Sequence, residues 1–246
     1  MARFKNKICV ITGATNGIGF QMANDFAHAG AIVYNLDIEE PKKSPRAEIR
    51  YIRCDLKDNV QIQKAIDQII DEVGKIDFLI NNACFSNKGL ISKCASDDFN
   101  DVLKVGVTAP YLLTLGFMNH FNEEGCIINI ASTRGFMSQS DTESYSASKG
   151  AILALTHAMS ISLAGKVRVN SISPGWINTS ENTFDKQDHS QQPVKRIGVP
   201  RDISNMAMFM CSLEASFITG ENIIVDGGMT KQMIYHGEES WKFEAK

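Results

Sequence analysis

Seven short apolar runs recur along the chain and predict β-strands, because they are rich in Ile and Val and too short for ordinary helices. Polar or glycine-containing segments separate them. The runs cover residues 8–12, 31–37, 49–55, 76–82, 126–132, 167–173 and 222–228.

Amphipathic stretches lie between most of these runs and predict helices. Apolar residues recur every three or four positions, as at Ile18, Met22 and Phe26, where Gly30 follows as a stop. The predicted helices cover residues 17–30, 59–74, about 97–121, 145–165 and 200–213. Strands that alternate with helices need crossover connections, so the fold class is α/β, with a mostly parallel sheet covered by helices on both faces.

No internal repeat or low-complexity linker divides the sequence, so we expect a single domain over residues 1–246. Three segments read as irregular: residues 39–48, a loop at 178–198, and a C-terminal extension at 231–246.

Composition narrows the possible partners. The net charge of −3 argues against nucleic acid or an anionic membrane surface, and no apolar run reaches the length of a membrane span. The glycine turn follows the first strand directly, so no secretory leader is expected at the start. The six cysteines show no metal-binding spacing, and we expect them to be reduced in a cytoplasmic protein without a metal.

The stretch TGATNGIG follows the first predicted strand and opens the first predicted helix. Gly13 favours backbone angles that other residues avoid, while Gly17 and Gly19 let a ligand and the sheet come close. The amides at this helix N-terminus favour a pyrophosphate. The alternative is a tight turn that binds nothing.

Asp37 ends the second predicted strand, eighteen positions after Gly19. A carboxylate at about this spacing accepts hydrogen bonds from the adenosine ribose and repels a 2′-phosphate. No Lys or Arg lies in the glycine turn, where Asn16 is neutral. The sequence therefore favours NAD over NADP, although Lys42 and Lys43 follow nearby, and a solvated strand end is the other interpretation of Asp37.

Tyr145 and Lys149 are four residues apart on a predicted helix and share a face. A nearby ammonium is expected to lower the pKa of the tyrosine from about 10 and so make it a better acid/base. Ser132 comes at the end of a predicted strand, at the carboxyl edge of the sheet where the ligand is expected. Its hydroxyl can donate there to a substrate oxygen. A loop or capping hydroxyl is the other interpretation of Ser132.

Together these motifs resemble the short-chain dehydrogenase/reductase family. The likeness runs from TGATNGIG through CDL, NNA, Ser132, YSASK, SPGWINT and GVPRDI to ITGENIIVDGG. It implies a Rossmann-type, doubly wound sheet of seven strands, hydride transfer between nicotinamide and a carbinol or carbonyl, and a homotetramer or dimer.

The resemblance also implies roles for single residues. Tyr145 would be the acid/base, Ser132 the donor to the substrate oxygen, and Lys149 both an activator of the phenol and a ribose contact. The cofactor contacts that the glycine turn, Asp37 and the resemblance together imply are Gly13, Asn16, Gly17, Ile18, Gly19, Asp37, Asp55, Leu56, Asn82, Ala83, Tyr145, Lys149, Pro174, Gly175, Ile177 and Thr179.

Two positions depart from the family pattern. Cys84 stands where the family usually has glycine, and it is expected to crowd the cofactor or alter the loop angle. Gly106 stands where an asparagine usually supports a proton relay to the lysine. The glycine either slows or reroutes proton exchange or only relaxes helix packing.

We expect a small alcohol or ketone as the substrate, and the sequence does not identify it. Phe136, Met137, Trp176 and Phe184 would give it an apolar wall, unless they only pack loops. Arg134 either clamps an anionic group or is solvated.

The apolar helix at 145–165 needs further cover, from a neighbouring subunit or from its own core. The tail, with Tyr235, Trp241 and Phe243, is expected to fold over a neighbour's site or to fray.

The leading interpretation is an NAD-dependent oxidoreductase for a secondary alcohol or ketone. One alternative is a reductase of ketones or acyl thioesters that uses NADPH. In that case Lys42 or Lys43 would have to contact the 2′-phosphate of the cofactor. Another is a non-catalytic, nucleotide-sensing protein on the same fold.

Overall fold

A seven-stranded parallel sheet forms the centre of the computed structural model, which describes residues 3–41, 46–180, 182–238 and 242. The strand order is β3-β2-β1-β4-β5-β6-β7, so the order reverses between β1 and β4. The predicted fold class is thus confirmed. The strands are β1 (Ile8–Thr12), β2 (Ile32–Asp37), β3 (Ile49–Arg53), β4 (Ile76–Asn81), β5 (Phe121–Ile130), β6 (Val167–Pro174) and β7 (Asn222–Val225).

Helices cover both faces of the sheet, because alternate residues of each strand point to opposite sides. Cys9 and Ile11 pack with α1 and α7, whereas Ile8 and Val10 pack with α2, α4 and α5. A fully buried side chain of this size contributes about 1.5–3 kcal/mol to stability. The helices are α1 (Gly17–His28), α2 (Asn59–Val73), α3 (Ser96–Leu103), α4 (Ala109–Phe117), α5 (Glu143–Ser162), α6 (Lys186–Ser190) and α7 (Pro200–Met210).

The ends of α2 show how local chemistry sets these boundaries. The Asp58 side chain accepts hydrogen bonds from the amides of Val60 and Gln61, which the helix leaves unpaired. Gly74, with a φ of 72°, ends the helix in a conformation that side chains disfavour. Both residues are visible in the sequence, and α2 runs within one residue of the predicted range.

The single helix predicted over about 97–121 is wrong in its detail. A π-helical turn at Lys104–Thr108 separates α3 from α4, and α4 ends at Phe117. Phe121 instead begins β5 and pairs with Ile76, so this strand starts five residues before the predicted run. Strand pairing at the sheet overrides the apolar helical pattern there.

The segments predicted to be irregular differ from one another. The loop at 178–198 contains α6, which the sequence did not indicate. The basic residues Lys42 and Lys43 lie outside the described residues, as do Trp241 and Phe243 of the tail. Within the described chain, no helix is both long and apolar enough to cross a membrane. There too, the cysteines are free thiols and no cluster of three or more possible metal ligands forms.

Candidate active site

The glycine turn lies between β1 and α1, at the point where the strand order reverses. Gly13 and Gly17 have φ values of 65° and 56°, which favour glycine. A Cβ at Gly13 would lie 2.8 Å from the Cα of Ala83, so the turn packs directly against the segment after β4. Close approach of two backbones therefore accounts for Gly13.

Asn82 clamps the turn from the neighbouring strand. Its Nδ2 donates to the carbonyl oxygens of Thr12 and Gly13, at 3.0 and 2.9 Å. The Thr12 hydroxyl in turn accepts from the amides of Asn82 and Ala83. A Cβ at Gly19 would lie 2.1 Å from the Gly13 oxygen, which leaves no room for any other residue. Gly19 is therefore needed for packing behind the turn.

Asp37 sits at the carboxyl end of β2, beside the same turn. Its carboxylate accepts from the amides of Thr15 and Glu39, at 3.0 and 3.1 Å. These bonds fix the side chain next to the turn and leave further lone pairs on both oxygens. The side chain is thus oriented before any ligand arrives.

A cleft runs along this sheet edge as two adjoining cavities. The first, of about 470 Å³, gathers predicted cofactor residues from the turn, from the ends of β2, β3 and β4 and from the loop after β6: Gly13, Asn16, Gly17, Ile18, Asp37, Asp55, Leu56, Asn82, Ala83 and Thr179. The second, of about 200 Å³, gathers Ser132, Tyr145, Lys149, Pro174, Gly175 and Ile177. Both share Ile18, Asn82, Cys84 and Thr179, so the two cavities are continuous. Gly19, buried behind the turn, lines neither of them.

The predicted reacting side chains meet in the second cavity. Ser132 follows β5, and its Oγ accepts from the amide of Arg134 at 3.1 Å. Lys149, only 3% exposed, donates from Nζ to the carbonyl oxygen of Ile130 at 2.6 Å. The same Nζ lies 5.4 Å from the centroid of the Tyr145 ring. The lysine therefore sits over the ring and is held by backbone.

The expected lowering of the Tyr145 pKa is wrong for this arrangement. Burial is the largest influence and, with the Cys84 thiol, holds the pKa of Tyr145 above its usual value. A hydrogen bond from Ser132 and the positive charge of Arg134 act the other way but do not outweigh burial. At neutral pH the phenol keeps its proton, which suits an acid that donates to a carbonyl oxygen.

A third cavity, of about 1120 Å³, opens beyond Ser132 and Tyr145. Met137 and Trp176 line it as predicted, but Phe136 is 54% exposed outside the lining and Phe184 packs edge-on to Trp176 at 5.2 Å. The predicted apolar wall is therefore only half present. Polar side chains make up much of the lining: Ser86, Thr133, Arg134, Ser138, Gln139, Gln191 and Gln232.

The segment after β7 also contributes to this third cavity. Met229, Gln232 and Ile234 line it from within the same chain, whereas the tail was expected to reach a neighbour's site or to fray. Tyr235 is 64% exposed. The signal that could have located this segment, an apolar residue every few positions after a glycine pair, is too short to be read from the sequence.

Comparison with known proteins decides the family. A family model described as enoyl-(acyl carrier protein) reductase matches residues 13–230. An uncharacterized oxidoreductase of Thermotoga maritima is 38% identical, over 94% of this chain and 98% of that protein. The chain belongs to the short-chain dehydrogenase/reductase family. Members of this family use a nicotinamide cofactor, so the chain is an oxidoreductase.

Named relatives of this short-chain dehydrogenase/reductase act on different substrates. A meso-2,3-butanediol dehydrogenase of Serratia marcescens is 32% identical, over 93% of this chain and 96% of that protein. A 3-oxoacyl-[acyl-carrier-protein] reductase of Aquifex aeolicus is 33% identical, over 92% and 98%. Family membership therefore sets the reaction type and leaves the substrate open.

Solved structures of family members match closely. An apo SCOR enzyme from Clostridium thermocellum has a TM-score of 0.90 at 41% identity, covering 98% of this chain and 99% of that one. A 4-hydroxyisoleucine dehydrogenase complexed with NADH has a TM-score of 0.84 at 32% identity, covering 93% and 100%. These matches span the sheet and the cleft alike.

Cys84, the first departure from the family pattern, lies at the junction of the first two cavities. Its φ is not in the left-handed region, so the loop does not require glycine there. Its thiol is instead one of the groups that hold the pKa of Tyr145 above its usual value. The substitution alters the surroundings of the phenol and leaves the course of the backbone intact.

Gly106, the second departure, is buried in the π-helical turn at Lys104–Thr108. A Cβ there would lie 2.0 Å from the Oγ of Ser148, which is itself 1% exposed. The space that a side chain at position 106 would need is thus taken by the residue next to Lys149. Close packing with α5 accounts for this glycine, while the effect on proton exchange remains a prediction.

Proposed function

We propose that this family member is an NAD-dependent oxidoreductase that interconverts a secondary alcohol and a ketone. The observation that carries the proposal is the meeting of Ser132, Tyr145 and Lys149 in the cavity that joins the glycine-turn cleft to the larger third cavity. Hydride transfer needs this continuity, because cofactor and substrate must meet beside one acid/base.

The first cavity fits a dinucleotide. Among the described residues, no side chain caps the N-terminus of α1, so its amides remain available for a pyrophosphate. The glycines leave room for that approach, and Asp37 at the far side accepts from ribose hydroxyls. The bound nicotinamide would supply or accept the hydride.

Charge around Asp37 supports NAD rather than NADP. Asp37, Glu39 and Asp55 line the first cavity, and its single lining cation within the described chain is Lys57. That ammonium lies 3.3 Å from the carboxylate of Asp101 and is therefore already paired. A 2′-phosphate would face net negative charge here.

Three side chains divide the proton chemistry. In reduction, Tyr145 donates its proton to the substrate oxygen, and Ser132 donates a hydrogen bond to the same atom. Ser132 is prepared for this because the Arg134 amide occupies its acceptor side. Lys149, fixed by the Ile130 carbonyl, holds the ribose and places positive charge near the ring. Oxidation needs the phenolate form of Tyr145, whose oxygen then accepts the proton of the substrate hydroxyl.

Replacing Tyr145 with phenylalanine tests this proposal. Turnover should fall by about 10²–10⁴-fold, since the acid/base is removed. NAD binding, followed by fluorescence titration, should persist, because the cleft is otherwise unaltered. The wild type is first assayed with a panel of alcohols and ketones, including sterols and sugars, by the absorbance of reduced cofactor. A wild type that binds NAD and turns over no member of the panel would support the nucleotide-sensing alternative.

Reduction of 3-oxoacyl thioesters with NADPH is the second candidate, favoured by the sequence relatives that are 3-oxoacyl reductases. It predicts tighter binding of NADPH than of NADH and turnover of an acetoacetyl thioester. Affinities for the two reduced cofactors separate the candidates directly.

A homotetramer, or a dimer, in the cytoplasm is the proposed assembly and location. Apolar side chains on the outer faces of α4 and α5 support an interface, since Tyr111, Leu115 and Ile161 are 50%, 50% and 76% exposed. Light scattering after size-exclusion chromatography gives the oligomer size.

A further inference from the structure

Arg134 is held firmly at the wall of the substrate cavity. It lies in a single 3₁₀ turn at Thr133–Gly135, two residues after Ser132. A Cβ at Gly135 would lie 3.0 Å from the Lys149 carbonyl oxygen and 2.8 Å from Leu153 Cδ1, so the turn presses against α5. The backbone of Arg134 is thus fixed beside the reacting hydroxyls.

The charge of this guanidinium is not balanced within the cavity. Among the described residues that line the cavity, Arg134 alone is charged, and neither Asp nor Glu joins it. Its side chain donates to the neutral amide oxygen of Gln139, and no ion pair with another described residue forms. A half-buried cation with only a neutral partner can gain a charge-assisted bond from an anion.

The rest of the cavity suits a substrate that makes hydrogen bonds. Gln139, Gln191 and Gln232 contribute amides, and Ser86 and Ser138 contribute hydroxyls. The Oε1 atom of Gln232 is buried and has no hydrogen-bond partner among the described residues. An acceptor in this state favours a ligand that brings a donor, such as a second hydroxyl or an amine.

From this geometry we infer that Arg134 binds the carboxylate of a small hydroxy acid, or of the corresponding oxo acid, as the substrate of this site. The inference rests on the proposed function. In oxidation the carbinol C–H bond would break and its hydride would pass to the bound NAD, while the hydroxyl proton would pass to Tyr145 in its phenolate form, which leaves the oxo acid and a neutral phenol. The planar carboxylate can accept two parallel hydrogen bonds from the guanidinium fork.

Matched acids and amides test the inference. The substrates are 2-hydroxybutyrate, 3-hydroxybutyrate and 4-hydroxypentanoate, each paired with its primary amide, and meso-2,3-butanediol as a neutral reference. For at least one pair, kcat/KM of the wild type should be about 10- to 100-fold higher for the acid than for its amide, mainly through KM. Arg134→Met should remove this preference, and Arg134→Lys should keep part of it.

Arg201→Met is the matched control, because Arg201 is exposed on α7 and pairs with Asp25 away from the cavity. It should keep the preference of the wild type. A second readout does not need turnover: tryptophan fluorescence, to which Trp176 in the cavity contributes, should report malonate binding in the presence of NADH. Arg134→Met should weaken this binding by about 10-fold or more.

The possible failures are distinct. Equal kcat/KM for acids and amides, with turnover of the diol, would overturn the inference and leave the proposed function standing. Loss of acid and amide turnover to the same extent in folded Arg134→Met would overturn it too, as would unaltered malonate binding. If Arg134→Met does not fold, Arg134→Gln replaces it. A wild type that turns over no acid, amide or diol contradicts the proposed function itself.

Discussion

Backbone forms the wall of the cleft at the β1–α1 turn, whereas side chains from several loops form the wall beyond Tyr145. At the turn, Gly13 and Gly17 have left-handed angles, and neighbouring backbone fills the space a Cβ would need at Gly13. In the substrate cavity, the lining comes from residues such as Arg134, Trp176 and Gln232. The two ends of one cleft thus depend on different parts of the chain.

This difference separates recognition of the cofactor, which is general, from recognition of the substrate, which is specific. A backbone wall recognises features that every nicotinamide dinucleotide shares, and few substitutions are tolerated there. A side-chain wall recognises one substrate and can change without disturbing the sheet. Substitutions at the first end should therefore act on cofactor affinity, and those at the second on the choice of substrate.

Among the substitutions that compare the two walls, Gly17→Ala should have the largest effect. Gly17 and Gly74 both have positive φ, at 56° and 72°, and neither would meet a backbone clash from a Cβ. Each alanine should cost about 1–2 kcal/mol of stability through strain. Only at Gly17 would the methyl group contact Thr179, which lines both cofactor cavities. NAD affinity, measured by calorimetry, should fall about 10- to 100-fold for Gly17→Ala. Equal NAD affinities in the two variants would contradict a backbone wall.

A smaller effect is expected for Asp37→Asn. The charge that repels a 2′-phosphate is lost, so the ratio of kcat/KM for NAD to that for NADP should fall about 10-fold. Steady-state kinetics with each cofactor measures it. Glu40→Gln is the control, since Glu40 does not line the cavity and should leave the ratio as it is. An unaltered ratio in Asp37→Asn would show that the carboxylate does not discriminate.

Phe184→Ala tests the side-chain wall. Its edge-on contact with Trp176 is worth about 0.5–1.5 kcal/mol, so KM for the substrate should rise about 2- to 10-fold without a change in NAD affinity. Phe136→Ala removes an aromatic ring of the same kind outside the lining and should have no such effect. If the two variants raise KM equally, the contact between Phe184 and Trp176 does not contribute to substrate binding.

Cys84→Ala should have the smallest effect, a shift in the pH dependence of kcat/KM. The Cys84 thiol is one cause of the raised pKa of Tyr145, so its removal should lower that pKa towards the ordinary value. The alkaline rise of kcat/KM for oxidation should therefore move to lower pH. Cys94→Ala, whose thiol lies outside the cavities, should not move it. Movement in the opposite direction would mean that Cys84 stabilises the phenolate.

The same contrast explains what sequence could predict. Periodicity is local, so the strands, the order of elements and the position of Asp37 at a strand end were all readable. The glycine turn was readable because its strand–turn–helix context limits what three glycines can do. The position of Ser132 at the ligand edge followed from the rule that ligands bind beyond the carboxyl ends of the strands, whereas its meeting with Tyr145 was implied by the family resemblance.

The features that sequence missed depend on packing between distant segments. The π-helical turn around Gly106 reflects contact with Ser148, and the raised pKa of Tyr145 reflects burial. The polar lining of the substrate cavity arises from loops without periodicity, so the expectation of four apolar residues there was half wrong. Loop conformation is set by the whole fold and leaves little trace in local pattern.

Met229, Gln232 and Ile234 close one side of the substrate cavity, and they belong to the stretch that follows the last strand. An affinity tag or reporter fused close behind this stretch would press on the cavity itself. Exchange of these few residues between homologues would also transfer part of the ligand selectivity and leave the sheet unaltered. These positions are therefore suitable first targets for directed evolution, because a few substitutions there alter the cavity.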